Sequence, residues 1–333
     1  MNKNLELALE FKDKDTVKHI YYLKKASDEG DAEAQYNLGV LYHFGNLVTQ
    51  NIKKTISLYI KAAEQGHADA QFNLAGLYHF AEYGHQDIKK AIYWYTKAAE
   101  QGKVEAQGVL AYLYESGELV SQNIEKAIYW YTKTAEQGLA EAQHNLAVLY
   151  HFGKFIQQDI EKAIYWYIKA AEQGLAEAQH NLAILYKNGE GVPQDIEKSI
   201  YWYIKVAEQG DPDAQCDLAI LYSAGELIPQ DMEKAIHWYT KAADQGNEIA
   251  QFSLAGLYHF AEYGHQDIKK AIYWYTKAAD QGNEIAQFNL AGIYSGGINV
   301  PGDMEKAIYW YTKAAEQENA FAQFALAIFY HFG

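Results

Sequence analysis

Residues 140–174 read AEAQHNLAVLYHFGKFIQQDIEKAIYWYIKAAEQG, and this stretch decides the fold. Ala142, Leu146, Ala147 and Tyr150 stand at i, i+4, i+5 and i+8, the stripe of an amphipathic helix. Gly153 then ends that helix, since glycine takes the left-handed conformation past a helix end without a Cβ clash. After the short KFIQQ segment, Asp159 offers a carboxylate to the first free amides of a second helix. That helix, IEKAIYWYIKAAEQ, runs to another glycine stop at Gly174. The stretch is one helix pair.

The same pair fills the chain. Its closing glycine recurs at Gly30, Gly66, Gly102, Gly138, Gly174, Gly210, Gly246 and Gly282, always 36 residues apart, and Glu318 takes the ninth place. Gln35, Gln71 and their successors to Gln323 keep the same step, as do Tyr42, Tyr78 and their successors to Tyr330. The N-cap position is Asp or Asn in each unit, from Asp15 and Asn51 to Asp303. A 30-residue segment from Gln71 and its counterpart from Gln251 differ only at Ser253 and Asp280. No strand pattern is present, and Pro193, Pro229 and Pro301 fall in loops while Pro212 fits a first helical turn. One helix pair cannot bury its apolar face, but stacked pairs can, each touching chiefly its neighbours. The sequence therefore predicts one all-α solenoid over 1–333, with an N-terminal helix at about 4–12 and helix pairs from about 15 to 332.

Composition narrows the function. The 333 residues carry a formal charge of −15, and all 28 basic residues are lysine. Without arginine the chain lacks the bidentate fork for phosphate and guanine, and its acidity repels nucleic acid. One cysteine, Cys216, excludes an internal disulfide framework. The apolar runs are too short for a membrane span, and MNKNLELALEFKDKD shows no secretory h-region, so the expected location is cytoplasmic. No catalytic constellation or phosphate loop stands out, so neither an enzyme nor a cofactor is expected. The histidine-bearing segments His79–Glu82–His85 and His259–Glu262–His265 lack metal-ligand spacing, and metal is not expected. The tryptophan column, Trp94 to Trp310, reads as packing between repeats.

The unit AQHNLAILYKNGEGVPQDIEKSIYWYIKVAEQG, from Ala178 to Gly210, resembles the Sel-1-like repeat, a relative of the tetratricopeptide repeat. The resemblance covers nearly the whole chain. It implies a right-handed superhelix of antiparallel helix pairs that acts as a non-enzymatic scaffold or adaptor, binding a partner protein or peptide in its concave groove. Two alternatives come with it: an immunity protein neutralising a toxin or effector, as some bacterial members are, and a secreted host-interaction factor. Ala81 and Ala261 replace the loop glycine, with Gly84 and Gly264 as candidates for its turn.

Carried over from the tetratricopeptide relatives, the first helix of each pair lines the groove. One groove column is acidic at Glu33, Asp69, Glu105, Glu141, Glu177 and Asp213, then apolar at Ile249, Ile285 and Phe321. These acids suit steering of a basic partner segment. The next column becomes aromatic at Phe252, Phe288 and Phe324, and a third ends at Ile328, with Gly256 and Gly292 as notches. His43, His79, His151, His259 and His331, each followed by phenylalanine (Phe260 after His259), complete the face. The resemblance also implies that Asn37, Asn73, Asn145, Asn181 and Asn289 could hold a peptide backbone, with local bonding the rival reading. The C-terminal segment AFAQFALAIFYHFG is a first helix without its second, which leads to the expectation that the chain continues or self-associates there. A 36-residue period without interruption also predicts an elongated particle, so small-angle scattering should exclude a compact sphere of this mass.

Overall fold

The computed structural model describes residues 2–81, 84–153, 156–260, 266–296 and 301–332. After α1 (Lys3–Phe11), first helices are α3 (Ala32–Phe44), α5 (Ala68–His79), α7 (Val104–Ser116), α9 (Ala140–Phe152), α11 (Ala176–Asn188), α13 (Pro212–Ala224), α15 (Glu248–His259), α17 (Glu284–Gly296) and α19 (Ala320–Phe332). Second helices are α2 (Thr16–Asp28), α4 (Ile52–Glu64), α6 (Ile88–Glu100), α8 (Ile124–Glu136), α10 (Ile160–Glu172), α12 (Ile196–Glu208), α14 (Met232–Asp244), α16 (Ile268–Asp280) and α18 (Met304–Glu316). No strand occurs among the described residues. The fold is an all-α solenoid of tandem helix pairs, in two compact units, Met1–Ala170 and Ala171–Gly333.

Local chemistry sets the helix ends. Each second helix begins where an Asp or Asn side chain accepts the amide of a lysine three residues on, as Asp87 does from Lys90 at 3.1 Å. Asp159 does the same from Lys162 at 3.0 Å. The lysine then turns back over a tyrosine of the preceding first helix. Lys54 lies over Tyr42, Lys126 over Tyr114 and Lys198 over Tyr186, with ammonium-to-ring distances of 4.8–5.1 Å. That tyrosine's carbonyl accepts the amide of the N-cap residue, as in Asp87 N to Tyr78 O at 2.8 Å. The Tyr42 column therefore fastens each loop by its ring and its backbone together.

From α4 onward, each second helix buries one tyrosine and a run of small residues, Ala91, Tyr95, Ala98 and Ala99 in α6. The alanines let the next first helix approach closely. The tryptophan of the second helix is buried at Trp130, Trp274 and Trp310 and packs at the core's margin at Trp94 and Trp202. The residue before the tryptophan is different: Tyr93, Tyr129, Tyr165, Tyr201, Tyr273 and Tyr309 are each 53–54% exposed. Each meets its tryptophan edge-on, with ring centres 4.8–4.9 Å apart.

Buried glutamines join one repeat to the next. Gln71, in α5, donates to the Ala63 carbonyl at the end of α4 at 2.9 Å and accepts from Gln101, at the end of α6, at 2.7 Å. The same pair of bonds recurs at Gln107, Gln179, Gln215, Gln251 and Gln287. The second helices end in a left-handed residue that returns the chain, as at Gly66 with φ +88°, where His67 N donates to Ala62 O at 3.1 Å.

Glu318 holds that left-handed position with φ +69° although it has a Cβ. A left-handed conformation costs a non-glycine residue about 1–2 kcal/mol. Glu318→Gly should therefore stabilise the α18–α19 hairpin by about 1 kcal/mol, read as slower amide exchange in α19. Gly282→Glu should produce the opposite change at α16–α17.

Candidate functional site

The C-terminal halves of consecutive first helices leave clefts between them. In unit Met1–Ala170, one cleft of about 230 Å³ lies between α3 and α5 and is lined by His43, Phe44, Phe72, Asn73, Gly76 and Leu77. A second, of about 490 Å³ between α7 and α9, has Tyr112, Glu115, Val148 and Phe152 in its walls. In unit Ala171–Gly333, a cleft of about 460 Å³ between α15 and α17 is lined by His259, Phe260, Phe288, Asn289, Gly292 and Ile293. Phe44, Phe152 and Phe260 rim the three clefts, and each stacks face to face on the histidine before it. The His79–Phe80, His151–Phe152 and His259–Phe260 ring centres are 4.4–4.5 Å apart. The histidine packs edge-on against the buried tyrosine of its own repeat, while the phenylalanine faces solvent and is 61% exposed at Phe80.

The residues singled out from sequence fall into three groups. Ile249, Phe260, Ile285, Phe321, Phe324 and Ile328 are exposed. Phe252 and Phe288 are half-buried instead, seated on Tyr275 and Tyr311 at 6.0 and 5.6 Å between ring centres. Both lie on the core rather than projecting as anchors, and Phe288 forms a wall of the α15–α17 cleft. Gly292 lines the α15–α17 cleft, and a Cβ built there would stop 3.8 Å from the Tyr311 hydroxyl.

The asparagines are engaged locally. Asn37 donates to Glu33 one turn earlier at 2.8 Å, and Asn73 and Asn289 donate to the Tyr36 and Tyr275 hydroxyls at 3.3 Å. Asn145 reaches the Tyr131 hydroxyl, and Asn181 is also partnered. The acidic column is partly paired with the residue that opens the next first helix. Glu33 meets His67 at 3.0 Å, Asp69 meets Lys103 at 2.6 Å, and Asp213 accepts from Asn247 at 2.8 Å. Lys103 also reaches Glu105 at 3.3 Å, whereas Glu141 and Glu177 are solvent-exposed. Sequence reading did not find these pairs, because their members lie 34 residues apart and are of unlike types.

Cys216 is packed in the core of its unit, and burial, reinforced by Asp217 and Asp213, pushes its thiol up to about 12. Among the described residues no three His, Cys, Asp or Glu side chains converge as a metal site. His85 is exposed, Gly84 takes a left-handed turn at φ +69°, and Glu82, Ala261, Glu262, Gly264, His265 and the Phe332 side chain lie outside the described residues.

His180 has a charged neighbour. Its Nε2 is 3.6 Å from the Asp217 carboxylate on the next first helix, which raises the imidazole above its ordinary value, against burial. His79 and His259 are lowered by burial alone. The stabilisation from His180 is full below about pH 6.5 and fades as pH rises through its raised folded value. For His79 and His259 it is present above about pH 6.5 and lost as pH falls. Imidazole proton NMR should show His180 titrating above the other two, and Asp217→Asn should bring it down.

The sequence pattern of the Sel1 repeat matches ten consecutive segments, from 12–31 through 176–211 to 320–333. Proteins built from this repeat typically mediate protein–protein interaction. The fold is similar to that of a protective antigen of uropathogenic Escherichia coli with an SLR fold. That protein is 36% identical, with a TM-score of 0.77 over 94% of this chain and 68% of its own. It is also similar to a Sel1 repeat protein from Oxalobacter formigenes, 32% identical, with a TM-score of 0.73 over 98% of this chain and 94% of that one. No curated protein matches. With the repeat matched along nearly its whole length, and helix pairs in the corresponding register, the chain belongs to the Sel1 repeat family.

Proposed function

We propose that this protein is a non-enzymatic scaffold that binds a partner protein along the face formed by its first helices. The observation that carries this reading is the recurrence of solvent-facing phenylalanines, Phe44, Phe80, Phe152 and Phe260, at clefts also lined by apolar residues such as Leu77, Val148 and Ile293. Exposed aromatic side chains beside pockets are the usual makings of an interaction hot spot. The exposed acids Glu141 and Glu177 on the first helices, which have no ion-pair partner among the described residues, favour a partner with a basic surface and contribute to encounter more than to affinity.

The test compares partners captured from native lysate by the intact protein, by Phe44→Asp/Phe260→Asp and by Tyr129→Asp/Tyr273→Asp. The tyrosines are similarly exposed but lie on second helices. Loss of a hot-spot side chain costs about 2 kcal/mol or more, roughly thirtyfold in affinity. The phenylalanine variant should lose the partner and the tyrosine variant should keep it. A partner that survives the phenylalanine variant and is lost with the tyrosine variant would place recognition on the second helices instead.

A further inference from the structure

We infer that the protein carries one recognition pocket twice, once in each compact unit, and that each copy takes an aromatic side chain flanked by basic residues, so that the partner presents this short motif two times. The inference deepens the proposed function and rests on it. The α3–α5 pocket is built from His43, Phe44, Phe72, Asn73, Gly76 and Leu77. Six 36-residue steps later stand His259, Phe260, Phe288, Asn289, Gly292 and Ile293, lining the α15–α17 pocket. Over these six the match is position for position, with one change, Leu77 to Ile293, that keeps the apolar character; a seventh lining residue, Phe80, is Gly296 in the second pocket. No other two consecutive repeats carry the full set. After His79 and Phe80 the next helix has Gly108, Val109 and Tyr112, and after His151 and Phe152 it has His180, Asn181 and Ile184.

The shape of the pocket and its surroundings specify the occupant. A stacked histidine–phenylalanine pair forms one wall, with the His259 and Phe260 ring centres 4.5 Å apart, and a half-buried phenylalanine forms the other. The glycine widens the floor: a Cβ built at Gly76 or Gly292 would stand in ordinary van der Waals contact with a tyrosine hydroxyl, at 3.9 or 3.8 Å, and its absence leaves that volume to a guest side chain. Aromatic walls favour an aromatic guest, through offset or edge-to-face contact. Each asparagine donates to a tyrosine hydroxyl at 3.3 Å, and among the described residues no hydrogen bond ends on its carbonyl oxygen, which remains to accept an N–H of the guest's backbone. Charge selects the flanks. The four helices that form the two pockets carry acids in their first turns, Glu33, Asp69, Glu248 and Glu284, and contain no lysine; Lys103 pairs with Asp69, whereas Glu33, Glu248 and Glu284 bond His67, Asn283 and Asn319.

The probe is the blocked tripeptide acetyl-Lys-Phe-Lys-amide, titrated into the full chain with labelled leucine and isoleucine methyl groups. Leu77 reports one pocket and Ile293 the other. Both methyl signals should shift along the same saturation curve. Acetyl-Lys-Ala-Lys-amide should shift neither, and acetyl-Glu-Phe-Glu-amide should bind about fivefold more weakly at low salt, the gap closing as salt screens the acids. Gly76→Leu should abolish the Leu77 response and leave that of Ile293, and Gly292→Leu the reverse. The unaffected pocket in each variant reports that the chain is still folded. A response at one pocket only, at neither, or equally to the alanine peptide would overturn the inference. If the pockets stay silent while the Phe44→Asp/Phe260→Asp variant still loses its partner, the binding face stands and the twin-pocket reading falls. If the pockets respond but that variant keeps every partner, the proposed function falls instead.

Discussion

The buried glutamine amide is the constraint on which the repeat depends. Gln251 is 4% exposed, yet its side chain answers a helix-terminal carbonyl behind it and a glutamine amide ahead of it. A buried amide without partners would cost about 1–3 kcal/mol, so each repeat is held to the one arrangement that satisfies both bonds. Apolar burial by alanine and leucine drives the helices together but says little about their register, because small residues slide. The glutamines supply that register. Each ties three successive helices, and the bond to the preceding helix end also occupies a carbonyl that helix termination leaves without an intrahelical partner.

Helix positions were legible from the sequence because their determinants are local. Asp87, Asp159 and Asp231 cap helices by bonding amides three residues ahead, and the glycine stops act on the adjoining turn. The site was less legible, because its determinants cross repeats. A phenylalanine in the groove column can project, as Phe324 does, or lie on a core tyrosine, as Phe252 does. Position alone does not separate the two outcomes, since a following second helix supplies the tyrosine under Phe252. The asparagine column carried the right chemistry for holding a backbone. Asn37 nevertheless bonds Glu33 within its own helix, and Asn73 and Asn289 spend donors on tyrosines, which periodicity could not reveal.

All 28 strongly basic residues of this chain are lysine. In the repeat, Lys162 pairs with its N-cap Asp159 at 2.7 Å and lies over Tyr150 at 5.2 Å. The compact ammonium fits this use, because the contact needs a point charge above a ring rather than a planar fork. The residual negative charge then collects on the first helices, where Asp69 and Glu105 share the single Lys103. Electrostatics thus has two roles, fastening loops on one side of the repeat and biasing the binding face on the other.

The edge-on tyrosine–tryptophan pairs have an optical consequence. Tyr129 and Trp130 lie 4.8 Å apart at 76°, and Tyr309 and Trp310 lie 4.9 Å apart at 78°. At such separations the excitation of the phenol passes to the indole, so each repeat with this pair is a nearly identical emitter. Because the two residues are neighbours in the chain, opening a repeat keeps transfer within the pair but releases its fixed edge-on geometry. The near-ultraviolet circular dichroism of these pairs, rather than the ratio of their emissions, therefore reports how many repeats remain closed.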